Sequence, residues 1–313
     1  MMPKKRPAPP TIQPQIRHLG TLDSSQPDQT LRALNAPARL LAADALLGAS
    51  LWDLEGERLL RSFDQPHITS LGGHLYGISG AAGAPHLARI NAETGEEERL
   101  AGAAVLGALA VGCGGDTALF DSSASSRRQR WALRFVKREG EVWREHVVAT
   151  ATKPPRMLKL VDDQRGRRAC LLTSQDEAQV WSLETGELLH TFKGHGKHAG
   201  GAAFSADGRW LVAVGQAKVA CWDLTLDAPR WFERHAERLV DTALCISPDD
   251  RYVVSAGLLH RRVTIRALTT GAALATFEAP DDDTAALCFS PDGTLYLACG
   301  AADLYAVTLP DGW

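Results

Sequence analysis

No apolar run in the chain approaches the roughly 18 residues that a membrane-spanning helix needs, so no membrane span is expected. The opening stretch MMPKKRPAPPTIQP is basic and proline-rich but lacks an apolar centre, so it does not read as a secretory signal peptide. A basic excess is missing too. The formal net charge is −3, which argues against a dedicated nucleic-acid binder. No C-x-x-C pair occurs among the six cysteines, Cys113, Cys170, Cys221, Cys245, Cys288 and Cys299, which removes the usual thiolate-zinc and dithiol redox motifs. Each falls in an apolar stretch that reads as a strand. Small, buried, reduced thiols are therefore expected, in a cytoplasmic protein. The sequence also lacks H-E-x-x-H, a Walker loop and a G-x-S-x-G elbow.

What is present is periodic. An apolar fraction of 45% over 313 residues allows a substantial core. The clearest unit is VWSLETGELLHTFKGH, residues 180–195: a strand ending at Trp181, a turn centred on Thr185-Gly186, and a second strand through Phe192. Variants begin at Leu51, Ala88, Arg134, Cys221, Ile265 and Leu304. Aligning them places Trp52, Ile90, Phe135, Trp181, Trp222, Arg266 and Tyr305 at one equivalent position, with spacings of 38, 45, 46, 41, 44 and 39 residues. A repeat of about 40–45 residues is that of a four-stranded propeller blade. A second phrase keeps the same period: FSADGRWLVAVG (204–215), ISPDDRYVVSAG (246–257) and FSPDGTLYLACG (289–300). Each reads as strand, tight turn, strand. Proline presets φ, Ser or Asp caps the turn, and glycine accepts φ > 0.

These phrases, with Gly194-His195 and the pairs Trp52-Asp53 and Trp222-Asp223, resemble the WD-repeat family. The resemblance spans about 300 residues, although only the last four units carry strong motifs. It implies an all-β, seven-bladed β-propeller with four-stranded antiparallel blades. In that family a Gly-His histidine joins a strand Ser or Thr, a turn Asp and the Trp in a buried tetrad. After His195 the Ser and Asp positions hold Val214 and Ala217. Packing must then replace much of that polar network.

Strand counting suggests how the ring closes. The seventh unit ends at Leu309, leaving its blade one strand short. The segment IRHLGTL (16–22) looks like the outer strand of other units, such as LLRSF (59–63) and LLHTF (188–192), and is expected to pair beside residues 303–309. Residues 1–14 are expected to form a disordered, basic, Pro-rich tail, and 15–313 the propeller. Closure by an N-terminal strand would remove a free sheet edge.

Candidate chemistry is sparse. Gly194-His195-Gly196-Lys197-His198-Ala199 fits G-x-G-x-x-A, but strand and turn follow it rather than the helix a dinucleotide fingerprint needs. Asp281-Asp282-Asp283 lacks the glycine turn and later Glu of an EF-hand. His195, His198 and His235 fall in loops between blades without evident ligand partners, so structural or solvated roles are expected. Seven candidate inner strands, 30–36, 68–73, 105–111, 157–163, 201–205, 242–247 and 285–290, are mostly small and apolar. They show no convergent set of carboxylates and histidines around a channel. Neither metal nor organic cofactor is expected.

Charge provides the remaining signal. Loops joining successive blades, and loops joining second to third strands, share one face, by the family's convention the top. That face gathers Arg127, Arg128, Arg130, Lys153, Arg156, Lys197, His198 and Arg238, which are the expected partner-binding residues, with Lys218, Arg261 and Arg262 nearby. The longest top loop is expected at SSASSRRQR (122–130). Guanidinium forks in such a cluster suit carboxylates or phosphates. The opposite face reads as acidic. The resemblance and the absent chemistry imply a non-catalytic protein-interaction scaffold or regulatory subunit, a monomer or part of a hetero-complex, whose partner carries an acidic segment. Two alternatives stay open: a propeller hydrolase of the lactonase kind, and a sensor subunit of a bacterial ATPase or protease system.

Overall fold

Short β-branched runs separated by Gly, Asp and Ser turns produce strands almost throughout. The computed structural model describes residues 8–310 apart from 22–28, 34–38, 45–47, 54–55, 57, 64–67, 72–73, 80–85, 102–104, 127–128, 152–158, 164, 174–175, 197–199, 216–217, 235–239, 259–260, 282–283 and 300–302. At some strand positions the backbone alone is described. After the N-terminal strand β1 (Gln15–Thr21), blade 1 comprises β2 (Gln29–Ala33), β3 (Arg39–Asp44), β4 (Gly48–Asp53) and β5 (Arg58–Phe63). Blade 2 comprises β6 (Thr69–Leu71), β7 (His74–Ser79), β8 (His86–Ile90) and β9 (Glu97–Ala101). Blade 3 comprises β10 (Val105–Gly112), β11 (Thr117–Ser126), β12 (Gln129–Glu139) and β13 (Val142–Ala151). Blade 4 comprises β14 (Lys159–Asp162), β15 (Arg168–Thr173), β16 (Glu177–Ser182) and β17 (Leu188–Lys193). Blade 5 comprises β18 (Gly201–Phe204), β19 (Trp210–Gly215), β20 (Lys218–Asp223) and β21 (Ala228–Arg234). Blade 6 comprises β22 (Val240–Ile246), β23 (Tyr252–Leu258), β24 (Arg262–Ala267) and β25 (Ala273–Glu278). Blade 7 comprises β26 (Thr284–Phe289), β27 (Leu295–Cys299) and β28 (Asp303–Thr308), completed by β1.

The seven sheets are four-stranded and antiparallel. The closing strand runs from Gln15 opposite Thr308 to Thr21 opposite Asp303. Thr21 Oγ1 donates to Asp303 Oδ1 at 2.6 Å, and His18 Nε2 lies 3.3 Å from the same oxygen. Ring closure by the N-terminal strand is thus as the strand count required. The inner strands β2, β26, β22, β18, β14, β10 and β6 follow one another around the axis.

The core is divided into layers between blades. Leu51 and Phe63 of blade 1 pack with Leu75 and Ile90 of blade 2. Tyr76 and Leu87 meet Phe120 and Val136 at the next seam. Phe135 and Trp131 meet Trp181, and Phe192 meets Trp222. Trp210 and Trp231 meet Val253 and Leu268. Phe277 meets Leu297 and Val307, and Tyr296 meets Trp52 across the closing seam. The apolar face of each sheet is therefore buried against its neighbour, as a repeat that cannot cover itself alone requires.

One irregularity recurs in all seven blades. Where the third strand meets the outer strand, the register slips by one residue. The slip falls immediately before Trp52, Trp181, Trp222, Arg266 and Tyr305, and slightly earlier in blades 2 and 3. Such a bulge raises the local twist and bends the outer strand.

Three expectations need correction. Segment 122–130 is not a loop: Ser123 pairs with Trp131 and Ser126 with Gln129, so only residues 127–128 lie between strands. Its serines are carried into the ladder by the long partner strand β12. Residues 8–14 are not all free tail, since Thr11 bridges Thr276 and Ile12 packs on the layer between blades 6 and 7. Residues 1–7 lie outside the described residues. Cys113 is not a buried strand residue either. It is exposed in the 3-10 turn Cys113–Gly115, with φ 49°. The other five cysteines are buried, and burial pushes the Cys221 thiol up to about 12.

The polar turns carry a testable acid sensitivity. Asp223, of the Trp222-Asp223 pair, is 2% exposed and accepts from Arg209 Nε (3.0 Å) and Nη2 (2.8 Å) on one oxygen. Thr225 donates its N–H (3.0 Å) and hydroxyl (2.6 Å) to the other. Arg209, then Thr225, hold the Asp223 carboxyl at about 2 against the opposing effect of burial. The unfolded value is near 3.9, so this contribution is complete above about pH 4 and is lost as pH falls through about 2. In urea titrations the wild-type midpoint should drop between pH 4 and pH 2. Asp223→Asn should start lower at neutral pH and lose part of that decline. An unchanged slope in the variant would show that this carboxylate does not carry the effect.

Candidate functional site

In an antiparallel four-stranded blade, the loop from second to third strand and the loop to the next blade must emerge on the same side. That topology places Arg127 and Arg128 between β11 and β12, Lys153 and Arg156 between β13 and β14, Lys197 and His198 between β17 and β18, and Arg238 between β21 and β22. All seven lie outside the described residues. Arg130 begins the ascent of β12 at Gln129–Glu139, and only its backbone is described. Of the eight expected binding residues the structure thus describes Arg130 alone, by its backbone. Their side-chain geometry is outside what the structure describes.

The described neighbours on that face are instructive. Asp176, held at φ 67°, accepts the backbone N–H of Gly194 at 2.9 Å and of Gly196 at 2.6 Å. Glu177 pairs with Lys193 at 3.4 Å. Two of the acidic groups that oppose the basic residues are thus engaged within blade 4 and its exit loop. Arg261 is engaged as well: its Nε donates to Ala279 O at 2.8 Å and its Nη2 to Pro280 O at 2.7 Å. It braces the exit loop of blade 6. Arg262, at the start of β24, is exposed. Asp176 as a loop anchor was not apparent in the sequence. The signal was an aspartate tolerating positive φ, which only the fold reveals.

His195, between Gly194 and Gly196, is fully buried. Burial pushes its imidazole below the ordinary value, opposed in part by the Asp176 charge. Among the described residues neither ring nitrogen reaches hydrogen-bond geometry. Val214, where the family pattern has Ser or Thr, is fully buried against apolar neighbours. This histidine is a buried group of blade 4's exit loop.

The opposite face is not uniformly acidic. Asp207 and Asp249 accept the hydroxyls of Ser205 and Ser247 at 2.6 Å, and Asp292 accepts that of Ser290, so these carboxylates build their own turns. Glu98 pairs with Arg89 and Glu139 with Arg144. The same face also presents exposed Arg165, Arg167, Arg209 and Arg251. Arg165 and Arg168 donate to Asp207 O (3.2 Å) and Gly208 O (2.8 Å) of the next blade. Asp250 accepts from Ala206 N at 2.6 Å and Asp207 N at 2.9 Å. Arg165, Arg168 and Asp250 thus tie blades 4, 5 and 6 together.

Among the described residues no group of three or more His, Cys, Asp or Glu is placed to hold a metal ion. No helix among them is long and apolar enough to cross a membrane.

The architecture defines a seven-bladed β-propeller. Residues 186–223 match the family described as WD domain, G-beta repeat, so the chain carries a WD40 repeat spanning the turn at Gly186 through Asp223. The β-propeller domain of Cps50 (Swd1) from Myceliophteria thermophila has a similar fold, with a TM-score of 0.71 and 14% identity over 95% of this chain and 100% of that one. No curated protein matches the sequence.

Proposed function

We propose that the protein is a non-catalytic interaction scaffold or regulatory subunit that holds an acidic segment of a protein partner on its top face. The binding residues are Arg127, Arg128, Arg130, Lys153, Arg156, Lys197, His198 and Arg238. The reading is supported by where these groups fall in the chain, in the connections between blades 3 to 6 and between β11 and β12, and by the engagement of the neighbouring Asp176 and Glu177 within blade 4 and its exit loop. A WD40 propeller with small, apolar inner strands fits holding rather than turnover.

Exposed charges contribute little to stability, so they can be removed without loss of fold. Replacing Arg127, Arg128 and Arg130 together by Ala should leave the melting temperature within about 2 °C. It should weaken the native partner's binding by about tenfold or more and flatten its dependence on salt. Surface plasmon resonance at two ionic strengths, with partner recovered from native cells, measures both. Unchanged affinity in the triple variant would remove these arginines from the site.

A further inference from the structure

Each blade ends in an outermost strand whose far edge offers unpaired backbone groups. On blade 6 that edge is occupied. Thr276, in the middle of β25, donates its N–H to Pro10 O at 2.9 Å and accepts from Ile12 N–H at 2.8 Å. Thr11 faces Thr276 in a parallel bridge. Ile12 is half-buried on the layer that contains Val263, Phe277 and Val307, while Thr11 points into solvent. Among the described residues no other outermost strand carries such an addition.

The local sequence suits this edge. Pro10 has no N–H, and the interaction uses only its carbonyl. Pro9, Pro10 and Pro14 keep the segment extended before it docks, which lowers the entropy lost on docking. The one side chain inserted toward the protein is β-branched and apolar, and it meets an apolar surface.

We infer that the outer edge of blade 6 at Thr276 is a strand-addition site for an extended peptide with proline two residues before a branched apolar residue, and that residues 8–14 fill it in cis. Two backbone hydrogen bonds and one half-buried isoleucine make a thin hold. Tethering sustains it, because a short linker gives an effective concentration in the millimolar range. A partner segment of the same chemistry reaches the edge by displacing the chain's own N-terminus. Docking on this side wall is thereby gated. The site is separate from the top-face arginines, so the failure of either leaves the other standing.

The test uses the full chain and a fluorescein-labelled peptide of residues 3–14, read by anisotropy. Ile12→Asp should release the tethered segment. That variant should bind the peptide at least about tenfold more tightly than wild type. Adding Thr276→Pro in the same background should abolish binding, because it removes the N–H that Pro10 engages. Equal binding by wild type and Ile12→Asp, or none by either, overturns the inference. Hydrogen exchange on the wild-type chain decides the matter without a variant, should Ile12→Asp fail to fold. Millimolar unlabelled peptide should strip protection from the chain's own Ile12 amide while Thr276 stays protected. An unaffected Ile12 amide overturns the proposal.

Discussion

Replacing Ile16 by Pro is expected to destabilise the protein by about 3–5 kcal/mol and to make its thermal unfolding irreversible. Ile16 sits within the closing strand, opposite Val307, and packs on the layer between blades 6 and 7. Proline removes its N–H, and the loss of the isoleucine leaves a gap in the layer that contains Val263, Phe277 and Val307. The consequence is larger than one contact suggests. Without β1, blade 7 keeps three strands and β28 presents a free edge, which is a template for association between chains. Differential scanning calorimetry with rescanning measures both effects. A reversible melt within about 2 °C of wild type would show that the ring does not depend on this strand.

The second large effect is expected at the turns between third and outer strands. The Thr-Gly turn that recurs in the sequence has a role beyond reversing the chain. Gly271, at φ 72°, lies against the Trp231 indole of the preceding blade, where an added Cβ would fall 2.5 Å from the ring. Trp231 Nε1 donates to Leu268 O in the same turn at 2.7 Å. Gly186, at φ 76°, accepts Phe135 from blade 3 in the same way, with 2.7 Å to the ring. Arg61 donates to Glu93 O and Thr94 O at 2.6 and 3.0 Å beside Gly95. At the blade 4–5 seam Asp227 takes the glycine's place and meets His190 Nδ1 at 2.8 Å. These turns are docking points between blades. Gly271→Ala combines left-handed strain with a clash and should cost about 2–4 kcal/mol. Gly140 provides the control. It has φ 65° but nothing within 4 Å of an added Cβ, because its turn ends a longer blade. Gly140→Ala should cost only about 1 kcal/mol. Urea denaturation of the two variants compares them directly. Equal losses would mean that backbone strain alone, and not contact between blades, explains the conserved turn shape within this chain.

The same particulars show what could be read in advance. In blades 1 to 3 the aligned positions Trp52, Ile90 and Phe135 follow mainly from spacing, and the recurrent outer-strand bulge lies at or near each of them. The inner strands and the closing strand also followed from period and count. The hairpin at 122–130 was hidden because its serines have weak strand preference and gain their conformation from cross-strand partners. The docking of Pro10 and Ile12 was hidden because a proline-rich segment offers no periodicity, and its partner edge lies 264 residues away at Thr276 from Ile12. The internal use of Asp176, Asp207 and Asp249 is not legible from the number of charges in each loop. Charge by itself does not say which carboxylates are already satisfied by backbone N–H groups and hydroxyls. The top-face arginines remain the part of the site that rests on connectivity.

Partners are expected to be held on the top face. Carboxyl-to-amine crosslinking of the native complex, followed by mass spectrometry, tests it most directly. Lys153 and Lys197 should couple to acidic residues of one partner segment. Crosslinks confined to the opposite face, from Glu93, Glu141 or Glu184 to lysines of the partner, would contradict it.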